Sequence, residues 1–306
     1  MSEPQAGILP AANSDATFLV LLLQNDTESV NTVRRVAAQL PKLTEMLAAK
    51  YPDSKLSTTI SFGSRAWKIL FKGQPYPEEL APFKALRNGD RQAPSTPGDI
   101  LIHIRSDRKD INFELSRMVM QKLGDSVLLE DEVSGFRYLE SRDMTGFVDG
   151  TENPEGDNRA AVALIPEGQP LAGGSYIQCQ RYIHNLPLWD TCPVHDQEKI
   201  IGRTKEDDIE FAAEEKAPTA HIKRVNLKED GKSLEILRHS MPYGDSMEQG
   251  LFFIAYAKTA RNFDMMLEQM IHADGHGHYD HLMDFTQAVT GNAYFAPSTE
   301  FLASLS

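Results

Sequence analysis

The chain has 306 residues, 41% of them hydrophobic, enough for a sizeable core or for two compact units and too many for a disordered chain. A formal net charge of −13 argues against a broad surface for nucleic acid or anionic membrane, because phosphate recognition needs clustered Lys and Arg. The two cysteines, Cys179 and Cys192, lie in no C-x-x-C or C-x-x-C-H pattern, which excludes ribbon zinc sites and thioether-bound prosthetic groups.

The N-terminus lacks a basic start followed by an apolar run, and the longest apolar run, Phe18 to Leu23, is far too short to span a bilayer, so a cytoplasmic location is expected. "TFLVLLLQ" (17–24) reads as a buried strand. Val30, Val33, Val36, Leu40, Leu43 and Leu47 then form a helical stripe, which Pro41 is expected to bend or split. "STTISFG" (57–63) is a second strand, 73–98 a long Pro- and Gly-rich loop, and "ILIHIRS" (100–106) a third strand. Ile111, Leu115, Met118 and Val119 mark a helix over 110–123 that ends at Gly124, and 127–138 is mostly strand. The order β-α-β-loop-β-α-β is that of a split βαβ, ferredoxin-like unit.

The segment 100–120 matches 250–270, with Asn112-Phe113 falling on Asn262-Phe263, Leu101 on Leu251 and Met120 on Met270. The offset is about half the chain, which favours two copies of one unit, 1–145 and 146–306. The fold class expected is therefore α+β, with duplicated ferredoxin-like halves whose antiparallel sheets are flanked by helices. "GFVDGTENPEG" (146–156) sits at the junction; locally it is a turn signal, but ligands often bind between such units. In the second half, strands at 173–184 and 233–240 enclose a long insertion with two short helices, carrying His195, Arg203 and His221.

"IHADGHGHYDH" holds His272, His276, His278 and His281 with Asp274 and Asp280; it lacks H-E-x-x-H spacing, and a solvated loop is the expected reading, with a metal site as the competing one. Arg238 alternates with apolar neighbours on its strand, and on an inward face it would need an anion or carboxylate.

"SGFRYLESRDMTGFVDGTENP", "VHDQEKIIGRTK", "TAHIKRVNLKEDGKSLEILRHSMPYG" and "FTQAVTGNAYFAPS" resemble the dye-decolourising peroxidases, bacterial class B, from about Gly7 to the C-terminus. The resemblance implies paired ferredoxin-like halves of dimeric α+β barrel type, with one non-covalent haem b in the C-terminal half. It implies His221 as the axial iron ligand, Asp149 as the distal proton carrier and Arg238 as the distal cation. It also implies Arg203 as partner of a haem propionate, Gly150, Thr151 and Glu152 at the porphyrin edge, Asp284 as the carboxylate orienting His221, and Ser240 at a small polar distal position.

The activity implied is reduction of hydrogen peroxide through an oxyferryl intermediate, with one-electron oxidation of phenolic or dye-like reductants. Trp189, Tyr182 and Tyr243 are candidates for surface oxidation of bulky reductants, with ordinary core or interface packing as the alternative. An aspartate proton carrier implies an acidic optimum. The alternative is a haem-handling or porphyrin-modifying protein with incidental peroxidase activity. The family's nanocompartment-docking tail has no counterpart after "APSTEFLASLS", so a free homo-oligomer, dimer or higher, is expected.

Overall fold

In the computed structural model, which describes residues 2–305, the first strand, β1 (Asp15–Leu23), is buried on both faces. Phe18 and Val20 point to one hydrophobic cluster, and Leu19, Leu21 and Leu23 to another. Three more strands follow in the first half: β2 (Ser57–Phe62), β3 (Ile100–Ser106) and β4 (Val127–Phe136). The second half adds β5 (Ser175–His184), β6 (Met241–Gly244), β7 (Gln249–Ala257) and β8 (Asn292–Ala296). The first-half order is β4-β1-β3-β2 and the second-half order β6-β7-β5-β8, every pair antiparallel. The halves join edge to edge at two seams, Phe62 opposite Phe295 and Gly135 opposite Tyr243, so the eight strands close into a barrel. Closure leaves no free edge along the ring.

The barrel interior holds Phe18, Val20, Leu101, Ile177, Ile254 and Tyr256. The outer face of the first half is covered by α1 (Thr27–Lys50) and α2 (Lys109–Leu123). Asp26 caps α1 by accepting from the Ser29 backbone N–H at 2.9 Å. Val33, Val36, Leu40 and Leu47 of α1 pack on Leu19, Leu21, Ile60 and Ile102, each such burial contributing about 1.5–3 kcal/mol. Pro41 lies inside α1, which runs unbroken past it; of the two expected outcomes, a bend or a split, the split does not occur. Packing of the stripe on both sides of Pro41 holds the helix through the missing hydrogen bond, and the Thr44 hydroxyl donates to the Leu40 carbonyl at 2.9 Å.

The long loop expected at 73–98 contains a small hairpin, Leu86–Asn88 with Arg91–Ala93. The insertion has a helical turn, Leu186–Trp189, then α3 (Val194–Ile201) and α4 (His221–Val225). The strand expected over 233–240 is not continuous. A hairpin turning at Gly231 pairs Lys228–Glu229 with Lys232–Ser233, and the chain rejoins the barrel only at Leu237–Arg238, opposite Tyr256 and Ala255. After β7, α5 (Arg261–Ile271) packs against α4. Cys179 and Cys192 are free thiols. Among the described residues no helix is long and apolar enough to cross a membrane.

Candidate functional site

A cavity of about 320 Å³ opens on the outer face of the second half, between β5, β7, α4 and α5. One wall is apolar: Leu251, Phe253, Phe263, Met266, Leu267 and Met270. The β5 face is polar, because alternation turns Ile177 and Cys179 into the barrel and Gln178, Gln180, Tyr182 and His184 towards the cavity. The buried Gln180 side-chain nitrogen has no partner. An orphaned donor on a largely apolar hollow fits a large, flat, mainly apolar ligand with polar substituents.

His221, first residue of α4, lines this cavity and donates from Nδ1 to Asp280 at 2.6 Å. The orienting carboxylate is thus Asp280, not the expected Asp284. Asp284 is exposed and accepts from the Tyr279 hydroxyl at 3.1 Å. Asp280 is fully buried because it also caps the short 3-10 turn His281–Asp284, accepting from the Leu282 backbone N–H at 3.0 Å. The histidine-rich tract therefore divides: Asp280 serves His221, while Asp274 accepts from the backbone N–H groups of His276 and His278 and ties the exposed loop. No group of three or more His, Cys, Asp and Glu placed to hold a metal ion occurs among the described residues.

Asp149, Arg238 and Ser240 line the same cavity. The peptide 146–156 is a turn, as its local signal reads, and it is also part of the site. Asn153 exchanges two hydrogen bonds of 2.9 Å with the Arg238 backbone, clamping the Asp149 loop to that strand. Gly150 has φ +88°, a conformation that L side chains rarely adopt. The Arg238 guanidinium makes no hydrogen bond or ion pair among the described residues, leaving a fixed positive charge aimed at no protein partner. Burial raises the Asp149 carboxyl above the ordinary aspartate value; Arg238 opposes this and the Asp143 charge adds to it. Ser240 accepts from the Ile254 backbone N–H at 3.3 Å.

The other expected residues stand nearby. Glu152 lines the cavity, Gly150 lines a smaller cavity behind Asp149, and the Thr151 hydroxyl donates to Asp208 at 2.7 Å. Arg203 is buried and sits one residue back, paired with Asp208 at 2.8 Å and Glu152 at 3.5 Å. His195 is exposed on α3. Trp189, Tyr182 and Tyr243 are all buried, so none of them presents a surface oxidation site; Tyr182 faces the cavity. His103 is a core residue, 2.9 Å from the Tyr256 hydroxyl.

Sequence reasoning missed Asp280, Gln180 and a second acid–imidazole pair on the cavity wall, His184 3.1 Å from Asp143. The available signal was the alternation Gln178-Cys179-Gln180, which puts amides where β1 has Leu19 and Leu21.

Two family models match the chain: Dyp-type peroxidase, N-terminal, over residues 5–137, and Dyp-type peroxidase, C-terminal, over 140–301. The chain is 40% identical over 304 residues to a dye-decolorizing peroxidase of Mycobacterium tuberculosis, covering 98% of this chain and 90% of that one. A Rhodococcus jostii DypB variant solved in complex with heme superposes with a TM-score of 0.94 at 36% identity, covering 98% of each chain. The encapsulated DyP-type peroxidase of Mycobacterium smegmatis superposes with a TM-score of 0.94 at 37% identity, covering 99% of this chain and 98% of that one.

Proposed function

The chain belongs to the Dyp-type peroxidase family, and from that premise we propose that Asp149, Arg238 and His221 form the machinery of a haem peroxidase in the large cavity. The observation that carries the assignment is their convergence there. A histidine whose Nδ1 is held by a buried carboxylate lines the cavity together with an aspartate and an arginine that has no ion pair among the described residues. The residues fit haem b: an apolar wall for the macrocycle, the free nitrogen of His221 for iron, and the orphaned Gln180 donor for a polar edge. Bound haem supplies the iron at which peroxide is reduced and from which organic reductants are oxidised in one-electron steps.

The protein's part is proton and charge handling. The Asp149 carboxylate takes a proton from one peroxide oxygen and returns it to the other as the O–O bond breaks, leaving as water. Arg238 stabilises the negative charge on the leaving oxygen; its guanidinium needs no reorganisation because no protein carboxylate holds it in an ion pair. Asp280 accepts from His221 Nδ1 and so orients the ring with its other nitrogen towards the cavity. Arg203, now paired with Asp208 and Glu152, would be the residue to hold a propionate if Glu152 yields its place, with Gly150, Thr151 and Glu152 as candidate neighbours of the group. Ser240, which lines the same cavity, would offer its hydroxyl to solvent or peroxide there.

The strand orders, each a 4-1-3-2 arrangement within its half, support reading 1–145 and 146–306 as duplicated ferredoxin-like units. Exposed Leu128 and Leu129 on β4 support a homo-oligomer. Because one neighbour is an encapsulated protein, likeness of fold does not separate free members from enclosed ones. The curated relatives near 40% identity are named dye-decolorizing peroxidase, whereas those named deferrochelatase are only 23% identical, which supports peroxidase turnover over a haem-handling role.

Absorption spectroscopy tests the assignment. Haem-loaded wild type shows a Soret band that shifts with peroxide, and His221→Ala loses it. Asp149→Ala and Arg238→Ala retain haem but lose about 10²–10⁴-fold in peroxide turnover. Wild-type turnover in both variants would sink the mechanism.

A further inference from the structure

Behind Asp149 lies a second cavity, of about 100 Å³, at one end of the barrel; it shares Asp149, Arg238 and Ser240 with the large one. Five arginines line it, Arg105, Arg137, Arg142, Arg159 and Arg238, against two aspartates, Asp15 and Asp149. None of the five makes an ion pair among the described residues. Arg105, which is buried, donates to the Asn13 side-chain oxygen at 2.8 Å and to the carbonyls of Ala11 and Gly7 at 2.6 and 3.4 Å. Arg159 donates to the carbonyls of Leu9, Pro10 and Pro154. Arg142 donates to those of Gly146, Lys205 and Glu206.

Every one of these acceptors is neutral. These three guanidinium groups are held by neutral oxygens; Asp107 and Glu155 act on Arg105 and Arg159 without forming ion pairs, so five arginines against two lining aspartates leave a locally positive cavity in a protein of net charge −13. The two imidazoles facing the cavity add no negative charge, and the neighbouring arginines help burial to push both His103 and His239 well below the ordinary histidine value. Arg137, at the exposed rim, has its guanidinium free.

We propose that this cavity is a binding site for a small inorganic monoanion, of halide or nitrite size, held between Arg137 and Arg238. The volume admits such an ion with a few waters and is too small for a dye-sized reductant. Guanidinium groups suit the occupant because they remain charged and are weakly hydrated. An ion on Arg238 takes the charge that the proposed mechanism assigns to peroxide, so it competes with peroxide. That consequence rests on the peroxidase assignment; the binding itself does not.

Bromide nuclear magnetic resonance tests the site in both haem-free and haem-loaded protein. Wild type should broaden the bromide line in both forms, and Arg137→Glu, a rim substitution outside the catalytic machinery, should remove most of the excess. Broadening that survives Arg137→Glu overturns the site. In steady-state assays, bromide should raise the peroxide KM several-fold at unchanged kcat in wild type and much less in Arg137→Glu. A KM indifferent to bromide overturns the competition with Arg238. Neither failure bears on the Soret test of His221, so the two assignments stand or fall separately.

Discussion

Asp280 and Asp284 share one short segment and do different work: Asp280 is buried against His221, whereas Asp284 meets only a surface tyrosine. Asp280→Ala should therefore weaken haem retention by about 10–100-fold, the usual cost of losing the partner of a ligating histidine, while Asp284→Ala leaves it unchanged; haem transfer to an excess of a scavenger protein measures both. For Asp149, the raised carboxyl has a definite sign. The group acts as a base only when ionised, so kcat/KM for peroxide falls on the acid side through a pKa above the ordinary 3.8, and the optimum lies less far into acid than a free aspartate would give. Asp143→Asn removes a like charge and should move that limb to lower pH; a limb that stays put, or moves up, counts against the coupling. The same shift bears on stability. A carboxyl raised on folding costs nothing below its unfolded pKa, and the cost is complete above its folded one. Asp149→Asn should thus raise the melting temperature of haem-free protein at pH 7, with the gain vanishing in acid. Extended matching peptides pointed to Asp149, Arg238 and His221 in the sequence, and all three line one cavity. Asp280 was not legible there, since its role depends on a turn that buries one acid of a polar tract.

At the scale of elements, hydrophobic periodicity placed α1, α2 and the first-half strands well, because each spans a full buried stripe. It failed at 233–240, where a two-residue-strand hairpin intervenes and the barrel contact shrinks to Leu237 and Arg238. Pro41 does not split α1, because its local penalty is outweighed by packing along the whole of the helix. That penalty persists in the folded state. Pro41→Ala should stabilise the protein by about 1–3 kcal/mol in denaturant unfolding, by restoring one helical hydrogen bond and relieving the ring's clash.

For the whole molecule, the barrel depends on two seams between halves. At one of them a Cβ on Gly135 would stand 2.6 Å from the Met241 Cβ, with Phe18 also close. Gly135→Val should cost at least about 1–3 kcal/mol, read from the unfolding midpoint, because neither neighbour can retreat without disturbing strand pairing. No pattern within one strand reveals such a constraint; it comes from closing the ring. The two halves also differ in what lies outside the ring. In the first, the 24 residues of α1 fill the space over the sheet. In the second, the corresponding connection is the insertion with the five-residue α4, and a hollow of about 320 Å³ remains. Cofactor loading and folding are consequently linked through mass action. Each tenfold rise in free haem above its dissociation constant should add about 1.4 kcal/mol to the stability of the second half, and amide exchange in the haem-free protein should begin around α4 and α5 while α1 and α2 stay protected.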